Sequence, residues 1–303
     1  MKKILLLTYS QSGQTEELGK SLVQELLRSP NCEVIVEQIR PLNPVPFPWG
    51  GFRFFDAFPE TFLEEPYPLY PLDCDVNTDY DLIVLAYQPW FLSVSRPVMS
   101  FLKTKEAKTL LAGKSVVTIL GSRNMWVGAH GKLKRLLAEN GATLKGHIAL
   151  SDRHSNLVSL ITILAWLITG KREGFAGIFP RAGVSVQDVN DANRFGKSLL
   201  ECVESGDYSR LQEKWLALGA VNIKPNLLMM EQRGAKSFRA FARWIRKAGK
   251  EGDKARRWRV YTFMYLLPAA IVVLTPITFF LKIIVLQIRR KSLEAEIEKI
   301  KQV

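Results

Sequence analysis

Between Thr8 and Leu18 the chain reads Tyr9-Ser10-Gln11-Ser12-Gly13-Gln14-Thr15-Glu16-Glu17, with the hydroxyls of Ser10, Ser12 and Thr15 beside that of Tyr9, one glycine and no basic residue in the loop. Such a stretch does chemistry only if something aims its backbone. The apolar run Ile4 to Leu7 reads as a buried parallel strand, and Leu18, Leu22, Val23, Leu26 and Leu27 recur at the period of an amphipathic helix packed on it. The loop therefore sits at a helix N-terminus. There, free N–H groups and the helix dipole favour an anion, and the hydroxyls of Ser10, Ser12 and Thr15 add donors. Gly13 lets the backbone approach closely. The loop has neither the Gly-Lys-Ser/Thr ending of a Walker loop nor the G-x-G-x-x-G of a dinucleotide fold.

The spacing Ser-x-Ser-Gly-x-Thr resembles the phosphate loop of the flavodoxin-like superfamily, which holds the 5′-phosphate of FMN without a basic residue. Ser10, Gln11, Ser12, Gly13, Gln14 and Thr15 are the phosphate-binding residues this implies. Further strands are expected at Glu33–Ile39, Leu82–Tyr87, Ser115–Leu120 and His147–Leu150, with helices near Pro97–Lys103, Gly131–Asn140 and Asp188–Glu204. This alternation predicts an α/β fold, a flavodoxin-like doubly wound five-stranded parallel sheet. The loops after strands one, three and four then converge on one crevice at the carboxyl ends of the strands.

The second of those loops carries Tyr87, Gln88, Pro89 and Trp90, and the third carries Gly121, Ser122, Arg123, Asn124 and Trp126. Flat aromatics beside backbone amides offer an isoalloxazine ring stacking faces and partners for its pyrimidine edge. Trp90 or Tyr87 and Trp126 are expected as ring walls. Arg123 or Asn124 is expected near flavin N1–O2, where positive charge stabilises the reduced anion.

The net charge of +13 is concentrated. Ten Lys/Arg lie between Lys236 and Arg259 against Glu251 and Asp253, and Val260 to Leu281 follows as 22 uncharged residues. At ~1.5 Å per residue that run is long enough to cross ~30 Å of hydrocarbon. A basic cluster beside an apolar run predicts a membrane anchor attracted to anionic lipid, whether it spans, re-enters as a hairpin or seats on one leaflet, with a buried dimerisation helix as the other reading, whereas nucleic acid would account only for the charge. Pro268 and Pro276 interrupt a straight span. The boundaries expected are 1–225 for the α/β domain, 226–259 for the basic segment, 260–288 for the apolar membrane-anchor helix and 289–303 for a charged C-terminal helix. Only four consecutive strongly apolar residues follow Met1-Lys2-Lys3, so no signal peptide is expected. Cys32, Cys74 and Cys202 have no metal-binding spacing, which predicts no metal site and a reducing, cytoplasmic setting.

Residues 41–71 form an insertion with eight prolines and nine aromatics, too proline-rich for long elements and too aromatic for disorder. A stiff, partly buried flap is expected. The apolar stretch Asn156–Gly170 is too short to span a bilayer and reads first as a buried helix. A sharper reading has flap and helix lining a greasy channel, or dipping into the membrane surface, for an alkyl-chain substrate.

Over nearly the whole length, the set Pro46-Phe47-Pro48-Trp49, Phe55-Asp56-Ala57-Phe58-Pro59-Glu60, Leu85-Ala86-Tyr87-Gln88-Pro89-Trp90, Arg123-Asn124-Met125-Trp126 and Gly177-Ile178-Phe179-Pro180 resembles the bacterial dialkylresorcinol condensing enzyme family. That resemblance implies a role in making dialkylresorcinol-type lipids beside a partner ketosynthase. Carbon–carbon condensation needs an activated Cys with His partners, and the three histidines and three cysteines here do not form that pattern. The expected activity is therefore FMN-dependent oxidation of an alkylated cyclohexanedione or cyclohexenone ring, an aromatase reaction, with His130 or Tyr87 as base and Arg123 as oxyanion partner. The alternative is a non-catalytic, membrane-tethered scaffold or lipid-binding partner of the ketosynthase. The expected location is the cytoplasmic face of the bacterial inner membrane. NAD(P)H use and homodimerisation are left open.

Overall fold

The computed structural model of the chain describes residues 1–174 and 177–303, with the side chains of 272 and 274–288 outside the description. In order, its elements are β1 (Lys2–Thr8), α1 (Gln14–Leu22), α2 (Gln24–Arg28), β2 (Cys32–Gln38), α3 (Gly51–Asp56), α4 (Phe58–Phe62) and β3 (Leu82–Tyr87). A two-residue hairpin, β4 (Pro89–Trp90) and β5 (Ser93–Val94), precedes α5 (Arg96–Leu102), α6 (Lys105–Leu111), β6 (Ser115–Ser122), α7 (Val127–Glu139) and β7 (Thr143–Ser151). Then come α8 (Asn156–Thr169), α9 (Val186–Asn190), α10 (Gly196–Ser205), α11 (Leu211–Ala217), α12 (Pro225–Arg246) and α13 (Arg257–Lys301).

Five strands form one parallel sheet, doubly wound as expected, in the order β2-β1-β3-β6-β7. Ile4 to Leu7 and all of β3 are buried because helices cover both faces, which is why these strands read as unbroken apolar runs. α1 lies so close to the sheet that a Cβ at Gly19 would stand 3.0 Å from both Ala86 and Leu6. The helix breaks at Val23, and Leu27, expected to pack, is exposed.

The insertion is more regular than expected, with α3 and α4 joined at Ala57. Phe58 of α4 stacks on Phe263 of α13 at 4.2 Å and meets Phe238 of α12 edge-on, so the basic segment packs on the flap. Beneath these rings Arg256 is fully buried, bonded to Asp56 Oδ1 at 2.7 Å and Glu60 Oε1 at 2.5 Å. Leu293 and Ile297 pack on Leu228 and Met229, bringing the end of α13 back to α12.

α13 continues through Pro268 and Pro276. The anchor expected at 260–288 falls largely on side chains outside the description, and among the described residues no helix is long and apolar enough to cross a membrane. α8 departs from the buried-helix expectation: Ser159, Thr162 and Trp166 are its buried residues, and the other apolar side chains are half-buried or exposed.

Candidate functional site

At the carboxyl end of β1 the chain turns through Gly13, at φ +88°, into α1. Ser10 Oγ accepts from Thr15 N at 3.1 Å, so this serine caps the helix. The amides of Ser12, Gly13 and Gln14 have no acceptor among the described residues, and neither does the Ser12 hydroxyl. Gln88 locks the loop from β3. With its amide oriented to satisfy both ends, it donates to Thr15 Oγ1 at 3.1 Å and accepts from Trp90 Nε1 at 3.0 Å and Gln11 N at 3.2 Å. Gln14 is committed elsewhere: its amide pairs with Val184, donating to the carbonyl at 2.8 Å and accepting from the N–H at 3.2 Å. Gly183, at φ +81°, lies against both Gln14 and Trp166.

A cavity of about 560 Å³ opens from this loop. Of the expected residues it gathers Gln11, Ser12, Gln14, Thr15, Gln88, Pro89, Trp90, Gly121, Ser122 and Arg123. Trp90 is held edge-on by Trp49 at 4.6 Å and Tyr9 at 5.9 Å. Beyond the loop the walls turn apolar, with Phe54 and Phe55 from α3, Leu160, Ile163, Leu164 and Leu167 from α8, and Leu267 and Ile271 from α13.

Arg123 lies half-buried where the polar end meets the apolar walls. It donates to Asn156 O at 3.2 Å and to Met125 Sδ at 3.5 Å, with no carboxylate in ion-pair range among the described residues. Burial lowers its guanidinium to about 10, so it stays charged at neutral pH. Arg233 of α12 is the other charged residue of the wall.

Three expected roles do not survive the geometry. His130 is buried in α7, stacked on His147 at 3.7 Å and touching Trp126, and lies outside the cavity wall. Burial drives its imidazole down to about 3, so it stays neutral and cannot exchange a proton with a substrate in the cavity. Tyr87 is fully buried in β3, its hydroxyl without a partner and raised well above the usual range by burial. Trp126 is core packing next to those histidines rather than a ring wall. The side chains of Ser10 and Asn124 do not line the cavity, and Gly13, which has none, contributes only backbone at its loop end.

Sequence reasoning missed Trp49 and Asn156, which line the cavity and carry buried polar atoms without partners among the described residues, the donor Trp49 Nε1 and the acceptor Asn156 Oδ1. It also missed Glu231 of α12. This buried carboxylate accepts from Val127 N at 3.3 Å and Gly128 N at 2.6 Å, capping α7 and fixing the loop that holds Arg123. Desolvation raises its carboxyl to about 7, partly opposed by those amides and by Arg123.

No family model matches the chain, and a search of curated proteins found no match. Among solved structures it is similar to a flavoprotein in complex with FMN from Lactobacillus acidophilus NCFM, at 18% identity over 49% of this chain and 93% of that one, with a TM-score of 0.40. A flavodoxin from the domain Archaea aligns at 12% identity over 67% of this chain and 99% of its own, with a TM-score of 0.38. A flavodoxin of Streptococcus pneumonia TIGR4 aligns at 13% identity over 66% and 98%, with a TM-score of 0.35. What the site can hold follows from its own atoms.

Proposed function

We propose that the chain is an FMN-dependent oxidoreductase that aromatises an alkylated cyclohexanedione supplied by a partner ketosynthase. The observation carrying this reading is one cavity that joins an anion-binding loop to apolar walls across an arginine without a carboxylate partner. The residues present fit FMN. The open amides of Ser12, Gly13 and Gln14 and the Ser12 hydroxyl suit its phosphate. The orphaned donor of Trp49 and acceptor of Asn156 suit a ring whose edge both accepts and donates, and Trp90 supplies an aromatic wall.

FMN, when bound, supplies a hydride acceptor. The remaining N–H groups of Arg123 stabilise the enolate oxygen that forms as the acidic ring C–H ionises. No His, Asp, Glu, Lys or Tyr is among the described residues of the wall, so the proton passes to water. Loss of a proton from the ring CH2 beside one carbonyl (C4), and of a hydride from the adjoining C5, removes two hydrogens and leaves a cyclohex-4-ene-1,3-dione that tautomerises to the aromatic diol. The side chains of α8 and α13 keep water from the alkyl chains.

The test is the visible spectrum of purified protein with FMN, followed by turnover of an alkylated cyclohexane-1,3-dione without a protein acceptor. Arg123→Met is expected to lower kcat/KM by about 10²-fold. Protein that stays colourless in excess FMN is a scaffold, and flavin-loaded protein that leaves the dione unchanged is not an aromatase.

A further inference from the structure

α8 is apolar almost all round, its outer side included. Ten of its fourteen residues are apolar and none is charged, yet the side chains it buries are Ser159, Thr162 and a single Trp166. Ser159 Oγ donates to the buried Asp152 at 2.8 Å, so the polar stripe faces the protein. Leu157 and Ile168 are exposed. In water an amphipathic helix turns the opposite way, and a helix apolar on its outer face belongs against lipid. At ~1.5 Å per residue α8 is about 21 Å long, short of the ~30 Å needed to cross, so it fits a seat in one leaflet.

α13 continues this face. A Cβ at Gly51 would lie 3.8 Å from Ile168 of α8 and 4.0 Å from Met264 of α13, so the two helices come together there. On the adjoining turns Tyr265, Leu266 and Val273 are exposed. α12 adds charge. Arg233, Lys236, Arg239, Arg243 and Lys247 are exposed at helical spacing on one side, none with a carboxylate in ion-pair range among the described residues, and the one acid of the helix, Glu231, is buried. Arg233 lines the same cavity as Leu160 and Leu164, so the basic stripe begins where the apolar walls do.

The geometry points to an anionic bilayer surface as the partner of this face, with α8 and the exposed side of α13 dipping into the acyl layer and α12 lying along the headgroups. The cavity behind α8 and α13 then receives its substrate from the lipid. Entry of an alkylated ring by this route rests on the function proposed above. The seat itself does not, and apo protein tests it without flavin or turnover.

Full-length apo protein is floated with vesicles of phosphatidylcholine alone or mixed with phosphatidylglycerol. Tighter binding to the anionic vesicles, weakened by salt, is expected. Leu157→Ser/Ile168→Ser should weaken it about tenfold or more, and Arg239→Gln/Arg243→Gln about fivefold per cation lost. Leu27→Ser and Leu218→Ser, at leucines exposed on other elements, should leave binding unchanged, with circular dichroism confirming that all variants fold. A polarity-sensitive probe on Ile168→Cys reads the contact directly and should report an apolar setting on anionic vesicles. Equal binding to both vesicle types, wild-type binding by the α8 pair, or a probe that stays in water while the protein is bound would each overturn the inference. The last result would assign membrane attachment to another segment.

Discussion

Gly183→Ala separates backbone strain from loss of a contact at the edge of the site. At φ +81° an alanine costs about 1–2 kcal/mol in the left-handed region. Its Cβ would also lie 2.8 Å from Gln14 Oε1 and 3.1 Å from the Trp166 ring. Gln14 can yield only by giving up its two bonds to Val184, worth about 1 kcal/mol each. The expected loss is therefore about 3–4 kcal/mol. Gly13→Ala is the control, since Gly13 has φ +88° with nothing within 4 Å of the new methyl, leaving about 1–2 kcal/mol of backbone cost. Urea denaturation followed by tryptophan fluorescence and circular dichroism measures both. Because Gln14 is the first residue of α1, displacing it also disturbs the open amides around Gly13, so Gly183→Ala should weaken FMN binding as well. If the two substitutions cost the same within about 0.5 kcal/mol, the Gln14–Val184 pair is not what requires a glycine at 183.

Ser12→Glu places a carboxylate beside the bound phosphate. At ~4 Å and an effective dielectric of ~20 each unit of repulsion is worth about 4 kcal/mol, so FMN affinity by fluorescence titration should fall about 10³-fold, and a loss below tenfold contradicts the phosphate loop. Glu231 holds its proton to about 7 when folded, against an ordinary 4.5. Stability should thus decline as pH rises from about 4.5 through 7, by about 3 kcal/mol in all, and Glu231→Gln should flatten that slope in urea midpoints taken at pH 5 and pH 8. Tyr87→Phe removes a buried hydroxyl with no partner and should leave stability unchanged or raise it by about 1 kcal/mol. His130→Met should keep FMN binding and dione turnover, and loss of turnover with the fold intact would restore the histidine as base.

The strand, hydroxyl loop and helix of residues 2–22 were legible in sequence because each is a local pattern, and the five-stranded parallel sheet followed from the alternation of strands and helices, though not the order of its strands. What failed depends on residues far apart. The neutral state of His130 is decided by His147 and Trp126 packing over it, and α7 begins at Val127 because Glu231, a hundred residues on, caps it. The apolar content of α8 gave the helix but not its facing. The polar residues Ser159 and Thr162, in line with Trp166, marked its inward side. Asn156 carried one signal, its place as the first residue of a helix at a strand end. Trp49 was visible only as one aromatic among the nine of the insertion.

The buried Arg256 binds Asp56 and Glu60 across separations of 200 and 196 residues. That latch ties the two walls of the cavity to one another from opposite ends of the chain. The strands of the sheet lie within the first half of the sequence, whereas closing the latch means bringing back a loop of that length, at a larger entropic cost than any of the sheet's own crossovers. Truncation ahead of Arg256 would leave buried Asp56 without its cation and Glu60 with only Arg246 at 3.8 Å, a cost larger than loss of a tail. The segment after 225 is thus no appendage to the sheet: without it the loop of residues 9–15 would open onto water rather than onto a lined chamber.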